Sequence, residues 1–111
     1  MSPAPEDLLD DIATGYQASQ ILLTANRRGL FAALADRSKD PQRLADDLGT
    51  DPRGTRILCD ALVDLGLLQR TDQGYQPGRD ARLHLLPDSD EPRSDVLAHG
   101  AKLYERWAGL Y

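Results

Sequence analysis

The feature that most constrains the fold is the stretch from residue 40 to residue 78, whose turn-forming residues divide it into short elements. An Asp-Pro pair begins each of two helical patterns, at residues 40–41 and 51–52, and each pair places an N-cap acceptor before a proline at the first helical position. Gly49 and Gly66 stand just past the ends of these two patterns, where a left-handed residue is favoured.

A hairpin follows the second helical pattern, with short strands predicted at residues 67–71 and 74–77 around an Asp-Gln-Gly turn. Two short helices followed by a hairpin are typical of a winged helix-turn-helix. That fold commonly binds DNA, and the second helix would then present Arg53 and Arg56 to the bases.

The charge of this stretch argues against DNA. Residues 40–78 contain four arginines, no lysine and seven aspartates. Phosphate contacts supply most non-specific affinity for DNA and require an excess of positive charge. The shape therefore indicates a DNA reader, whereas the charge favours a module that contacts protein, and a DNA-binding regulator remains the alternative.

The whole chain has the properties of one small acidic domain. Its 111 residues fit a single domain, and its net charge of -5 disfavours nucleic acid and anionic membranes as partners. It has no apolar run near the roughly 18 residues of a membrane span. The single Cys59 fits a reducing compartment, and the N-terminus lacks a signal-type apolar block, so we expect a cytoplasmic protein.

Two longer helices are predicted on either side of the winged helix, after a loose tail at residues 1–5. The first runs from Glu6 to Arg28 and the last from about Pro92 to Gly109, and both carry apolar residues over a broad arc. Gly29 ends the first, and a short helix follows at residues 30–34. The expected fold of residues 6–111 is all-α with a small β-wing.

The two broad apolar arcs exceed what one small core can cover. Exposed apolar patches of this kind usually mark interfaces, so we expect the chain to form a homodimer through its long helices. The predicted interface residues are Leu8, Ile12, Tyr16, Ser19, Leu22, Leu23, Val96, Leu103 and Trp107.

Three short motifs and a terminal tryptophan occur together in an informative order. They are A-x-x-x-G-L-F-x-x-L at residues 25–34, L-A-x-x-L-G at 44–49, L-x-x-L-G-L-L at 62–68, and Trp107. With these motifs the chain, from about Leu8 to Leu110, resembles the N-terminal dimerisation domain of S-adenosylmethionine-dependent small-molecule O-methyltransferases of plants and bacterial polyketide pathways.

The resemblance implies a winged-helix domain that does not read DNA and whose long helices interleave with those of a second subunit. Catalysis and S-adenosylmethionine binding would then belong to a Rossmann-like domain that these residues do not contain, because no strand leads into a glycine-rich loop. We therefore expect no catalytic, cofactor-binding or metal-binding residue in this chain. A small aromatic or polyketide substrate would bind only with the catalytic domain, with a cleft that could include Tyr16, Gln17, Gln20, Tyr104 and Trp107.

The remaining reactive side chains have simpler interpretations. His84 and His99 lie in different segments without metal-ligand spacing, so we expect ordinary surface or interface residues. Cys59 lies next to an apolar helix face and is expected to be a buried thiol. A relative of the methyltransferases recruited to another reaction is a further alternative, because a fold does not determine chemistry.

Overall fold

A computed structural model describes residues 5–110 of the chain. The predicted loose tail lies outside the described residues, apart from Pro5, at which the first helix begins. The described residues form six helices and two strands: α1 Pro5–Arg27, α2 Leu30–Ala33, α3 Pro41–Leu48, α4 Pro52–Asp64, β1 Leu68–Thr71, β2 Gly74–Pro77, α5 Arg79–His84 and α6 Ser94–Ala108. The predicted class, all-α with a small β-wing, is confirmed.

The helix-turn-helix forms for the local reasons that the sequence indicates. The Asp40 side chain accepts a hydrogen bond from the Arg43 backbone N–H at 2.8 Å, and Asp51 accepts one from the Gly54 N–H at 2.8 Å. Each bond satisfies an amide that a helix N-terminus would otherwise leave unpaired. Gly49 adopts the left-handed conformation, with φ of 68°, and ends α3.

The core lies between α2, the helix-turn-helix, the wing and the C-terminal end of α1. Phe31 and Leu30 of α2 are almost completely buried, as are Leu44 of α3, Leu62 of α4 and Leu68 of β1. Burying one such side chain contributes about 1.5–3 kcal/mol. This cluster fixes the winged helix as a unit to which the long helices are attached.

The wing is an antiparallel hairpin in which Leu68 lies opposite Pro77. Lys39, which precedes α3, forms a bridge with Tyr75 through two backbone hydrogen bonds of 2.9 and 3.2 Å. Gly74 makes this close approach feasible, because its φ is 131° and a Cβ there would lie 2.1 Å from the Lys39 carbonyl oxygen. The hairpin is thereby tied to the start of the helix-turn-helix.

The last helix begins two residues later than predicted, at Ser94 rather than Pro92. The residues before it belong to a loop that returns to α5, where the Arg93 backbone N–H donates to the His84 carbonyl oxygen at 2.8 Å. From there α6 packs against α1, and the Asn26 side chain donates to the Ser94 carbonyl oxygen at 3.1 Å. Within residues 5–110 no helix is both long and apolar enough to cross a membrane.

Candidate dimer interface

The first half of α1 extends beyond the body of the domain. Every side chain from Leu8 to Ser19 is exposed, and the first fully buried residue of the helix is Ala25. Leu9 and Ile12 expose 67% and 69% of their surface, although both are large apolar residues. At 1.5 Å per residue, about 18 Å of this helix is therefore left uncovered by the rest of residues 5–110.

The exposed apolar side chains of α1 share one face. At about 100° per residue, Leu8, Ile12, Ser19 and Leu23 lie within a narrow arc, and Tyr16 lies beside them. The first part of the predicted stripe, up to Ser19, is therefore exposed at the surface. Its last residue, Leu23, is half-buried, and the neighbouring Leu22 packs against the core.

The last helix has two faces with different roles. Ala101 is buried, and Leu97 packs against the core. About 120° around the helix from these two residues, Val96 and Trp107 are each 70% exposed and Leu103 is also exposed. An amphipathic helix on the surface of a domain needs only one apolar face, so the second face of α6 lacks a partner within the described residues.

A groove of about 640 Å³ opens between α1, α2 and α6. Its apolar lining includes Leu23, Phe31 and Ala101, and its charged lining residues are Arg27, Asp95, Lys102 and Glu105. Arg27 and Glu105 approach within 3.6 Å, but both side chains are more than half exposed, so this pair contributes little to stability. The groove was not predicted from the sequence.

The predicted cleft residues do not line this groove. Tyr16 and Gln17 are exposed on the projecting half of α1, and Gln20 is half-buried further along the helix. Tyr104 and Trp107 are exposed on α6. Of the predicted interface residues, Leu23 alone is both on the apolar stripe and in the groove lining.

The predicted interface set missed two residues that the structure exposes beside it. Leu9 adjoins Ile12 and Tyr16 at helical spacing, which is a signal that the sequence already contained. Leu110 is 69% exposed just after α6 and continues the line of Leu103 and Trp107. Both belong to the candidate dimer interface.

The winged helix directs a polar residue of α4 towards its own wing. Asp60 accepts hydrogen bonds from the Tyr75 hydroxyl at 2.5 Å and from the Arg70 guanidinium at 2.8 Å. These two bonds lower the pKa of Asp60 below its ordinary value of 3.8. Burial, followed by the bond to Asp60, raises the pKa of Tyr75 to about 12. Arg53 and Arg56 remain exposed on α4.

The other reactive side chains are accounted for by the fold. Cys59 is fully buried, as predicted, and burial raises the pKa of its thiol to about 12. His84 Nδ1 lies 2.8 Å from the Glu91 carbonyl oxygen in the loop before α6, and His99 is exposed on α6. Across residues 5–110 no three His, Cys, Asp or Glu side chains are grouped so that they could hold a metal ion.

This chain is similar in sequence and in fold to parts of known methyltransferases. The O-methyltransferase dimerisation domain family matches residues 10–87. A 3-hydroxy-5-methyl-1-naphthoate 3-O-methyltransferase from Streptomyces sahachiroi is 40% identical over 80 residues, which are 72% of this chain and 23% of that protein. Acetylserotonin O-methyltransferase from Bos taurus is 32% identical over 110 residues, or 93% of this chain and 32% of the relative.

A solved structure supports the same assignment. Human N-acetylserotonin methyltransferase in complex with SAM superposes with a TM-score of 0.86 at 27% identity, and the match covers 96% of this chain and 33% of that one. This chain thus spans about a third or less of the length of these relatives. The family match, the relatives and the shared fold agree, and the chain belongs to the O-methyltransferase dimerisation domain family.

Proposed function

We propose that this chain is the homodimerisation domain of a SAM-dependent O-methyltransferase acting on a small aromatic or polyketide metabolite. The observation that carries the proposal is the pair of uncovered apolar faces, one on the first half of α1 and one on α6. The substrate class is proposed from the names of relatives such as the naphthoate methyltransferase, which is named for a small aromatic substrate.

The energetics favour a second copy as the cover for these faces. Apolar surface contributes roughly 25 cal/mol per Å² when it leaves water, so exposed leucine, isoleucine and tryptophan side chains represent a large unused stabilisation. Stable homodimers commonly bury about 2,000 Å² or more in total. The proposed interface comprises the predicted set with Leu9 and Leu110 added.

The cofactor belongs to another part of the parent protein in this proposal. A Rossmann-like cradle holds its ligand where a parallel strand turns into a helix. The sheet within residues 5–110 is instead a two-stranded antiparallel hairpin, so we assign none of these residues to SAM. Tyr16, Gln17, Gln20, Tyr104 and Trp107 are proposed to reach the substrate cleft only when the catalytic domain is present, and the cell compartment proposed is the cytoplasm.

The DNA-binding alternative gains no support from the relatives. Arg53 and Arg56 are exposed on α4, but Asp51 and Asp64 are exposed on or beside the same helix. These carboxylates would repel phosphates.

Sedimentation equilibrium at micromolar concentration tests the dimer. We expect a species of about twice the 12.2 kDa chain mass. Ile12→Asp should give a folded monomer, because Ile12 is 69% exposed in the single chain and a charge in a dimer interface is costly. Thr14→Asp is the matched control: Thr14 is also exposed but lies on the other side of α1, so this variant should stay dimeric.

A wild-type chain that sediments only at 12.2 kDa would disprove the dimer. Leu22→Asp is a poorer test than Ile12→Asp, because Leu22 packs against the core and its change should also unfold the domain. Circular dichroism of each variant separates dissociation from unfolding.

A further inference from the structure

A shallow depression of about 460 Å³ lies between the first strand of the wing and α5. Its lining residues are Gln69 of β1 and Arg79, Arg82 and Leu83 of α5. None of them belongs to the proposed dimer interface, and none lines the groove between α1, α2 and α6. The depression is therefore a surface of the winged helix that the proposed dimer does not use.

The polar side chains that line the depression are all able to donate hydrogen bonds. The Gln76 amide donates from Nε2 to Gln69 Oε1 at 3.0 Å, so the acceptor of Gln69 is engaged and its own amide N–H groups are left to bind a ligand. Each arginine guanidinium carries only donors. A ligand that fits this lining must be rich in acceptors, and a carboxylate matches the planar guanidinium group best.

The two arginines of the depression lack the neutralising partner that another basic side chain of this domain has. Lys39 lies 2.8 Å from Asp47, whereas among the described side chains no carboxylate lies within 4.0 Å of Arg79 or Arg82. The acidic residue of α5, Asp80, lies about 100° around the helix from Arg79 and about 160° from Arg82. Like charges three residues apart on a helix repel each other. The depression is thus locally positive, although the net charge of the chain is -5.

We propose that this depression binds an acidic segment of a partner protein, whose carboxylates accept hydrogen bonds from Arg79 and Arg82. Leu83 is 38% exposed between the two arginines and would contact an apolar side chain of that segment. Arginine is enriched in protein interfaces, because its fork of donors binds a carboxylate through two bonds. The inference adds a partner to the domain beyond the second copy that the homodimer requires.

The shape of the depression favours a protein segment over a free small anion. The depression is open, and Arg79, Arg82 and Leu83 are all exposed, so a single carboxylate would stay hydrated and gain little there. A segment with several carboxylates can contact both arginines and Leu83 at once. Its later contacts form more readily, because the first contact has already brought the segment to the surface.

Fluorescence anisotropy with a labelled peptide, Glu-Glu-Leu-Glu-Glu, tests the site on the full 111-residue chain. At about 50 mM salt, where charges are only partly screened, we expect saturable binding that weakens as salt is added. Changing Arg79→Gln and Arg82→Gln together should raise the dissociation constant about tenfold or more, because bonds between charged groups are lost.

The matched control is Arg53→Gln with Arg56→Gln. This pair has the same spacing on α4 and is equally exposed, but Asp60 and Asp64 follow it on the same helix. The control removes the same charge, so any attraction that depends on net charge alone changes equally in both double variants. It should alter the dissociation constant of the peptide less than about threefold. Circular dichroism checks that both variants fold.

Three results would overturn the proposal. Equal weakening by the two double variants would show that the peptide responds to net charge and not to this depression. A wild-type chain that does not bind the peptide at low salt would exclude the site. Displacement of the peptide by free glutarate at the same carboxylate concentration would assign the depression to small carboxylates and exclude the protein partner. The dimer dissociation constant should not change in either variant, so this outcome is independent of the proposed homodimer.

Discussion

Residues 29–86, the body of the domain, and the first half of α1 contain similar apolar residues but bury them to different extents. In the body, Phe31, Leu44 and Leu62 belong to one core cluster and are almost completely buried. In α1, Leu9 and Ile12 stay about two-thirds exposed. Hydrophobicity alone therefore does not distinguish the two regions. What distinguishes them is whether another element packs on the apolar face, and among the described residues no element packs on the first half of α1.

The largest effect should separate the body from the uncovered apolar face of α6 by the dependence of stability on protein concentration. Phe31→Ala empties a buried site in the body and should cost about 3–5 kcal/mol of unfolding free energy at any protein concentration. Trp107→Ala removes a larger side chain that is 70% exposed, so in dilute monomer it should cost no more than about 0.5 kcal/mol.

Urea unfolding at nanomolar and high micromolar concentration measures both variants. The Trp107 variant should lose stability only at high concentration, where the dimer forms. Equal losses for it at both concentrations would show that α6 stabilises the single chain through this face.

A smaller effect concerns the attachment of the wing to the body. Gly74→Ala should lower the free energy of unfolding by about 1–3 kcal/mol. The backbone has a positive φ of 131° at this position, and the new Cβ would lie 2.1 Å from the Lys39 carbonyl oxygen. Gly54→Ala is the control, since its Cβ would meet nothing closer than 3.6 Å and an alanine suits the helix. In thermal unfolding, Gly74→Ala should have a lower Tm than wild type, and Gly54→Ala should not. Equal Tm values for Gly74→Ala and wild type would mean that the hairpin can move away from Lys39 without losing stability.

The smallest effect should come from the polar contact between α4 and the wing. Tyr75→Phe removes the hydrogen bond to Asp60 and should cost about 1 kcal/mol or less, because the Asp60 side chain is 42% exposed and screened by water. Bonding lowers the pKa of Asp60 in the folded state, so its contribution is present above its ordinary value of 3.8 and is lost as the pH falls through the lowered value.

Unfolding free energies of wild type and Tyr75→Phe should therefore differ at pH 6 and converge in acid below pH 3.8. A difference that grows in acid would mean that Asp60 is not the partner that matters. This contact is local to the body, so the variant should leave the dimer dissociation constant unchanged.

The winged helix was predictable because its signals are local. Asp40 and Asp51 cap helices whose amides lie three residues away, and Gly49 needs only its own left-handed conformation. The hairpin register follows from a short turn. Such signals survive in a single sequence because they involve residues within one or two turns of each other.

The remaining features depend on contacts between distant residues. The Asp60 contact with Tyr75 joins residues fifteen positions apart, and the Lys39 bridge joins a loop to a strand. The groove arises from the angle at which α6 meets α1, to which periodicity gives no guide. The pattern of apolar residues did locate the exposed faces, yet it omitted Leu9 and could not show which half of α1 the body covers.

The bridge between Lys39 and Tyr75 has a consequence for how copies of this chain can associate. An uncovered strand edge is a template for pairing with another chain, and uncontrolled pairing leads to aggregation. On the outer side of β2, the N–H and the carbonyl of Tyr75 are both already bonded to Lys39. The hairpin is thus protected from strand addition at this edge, and self-association is left to the helices.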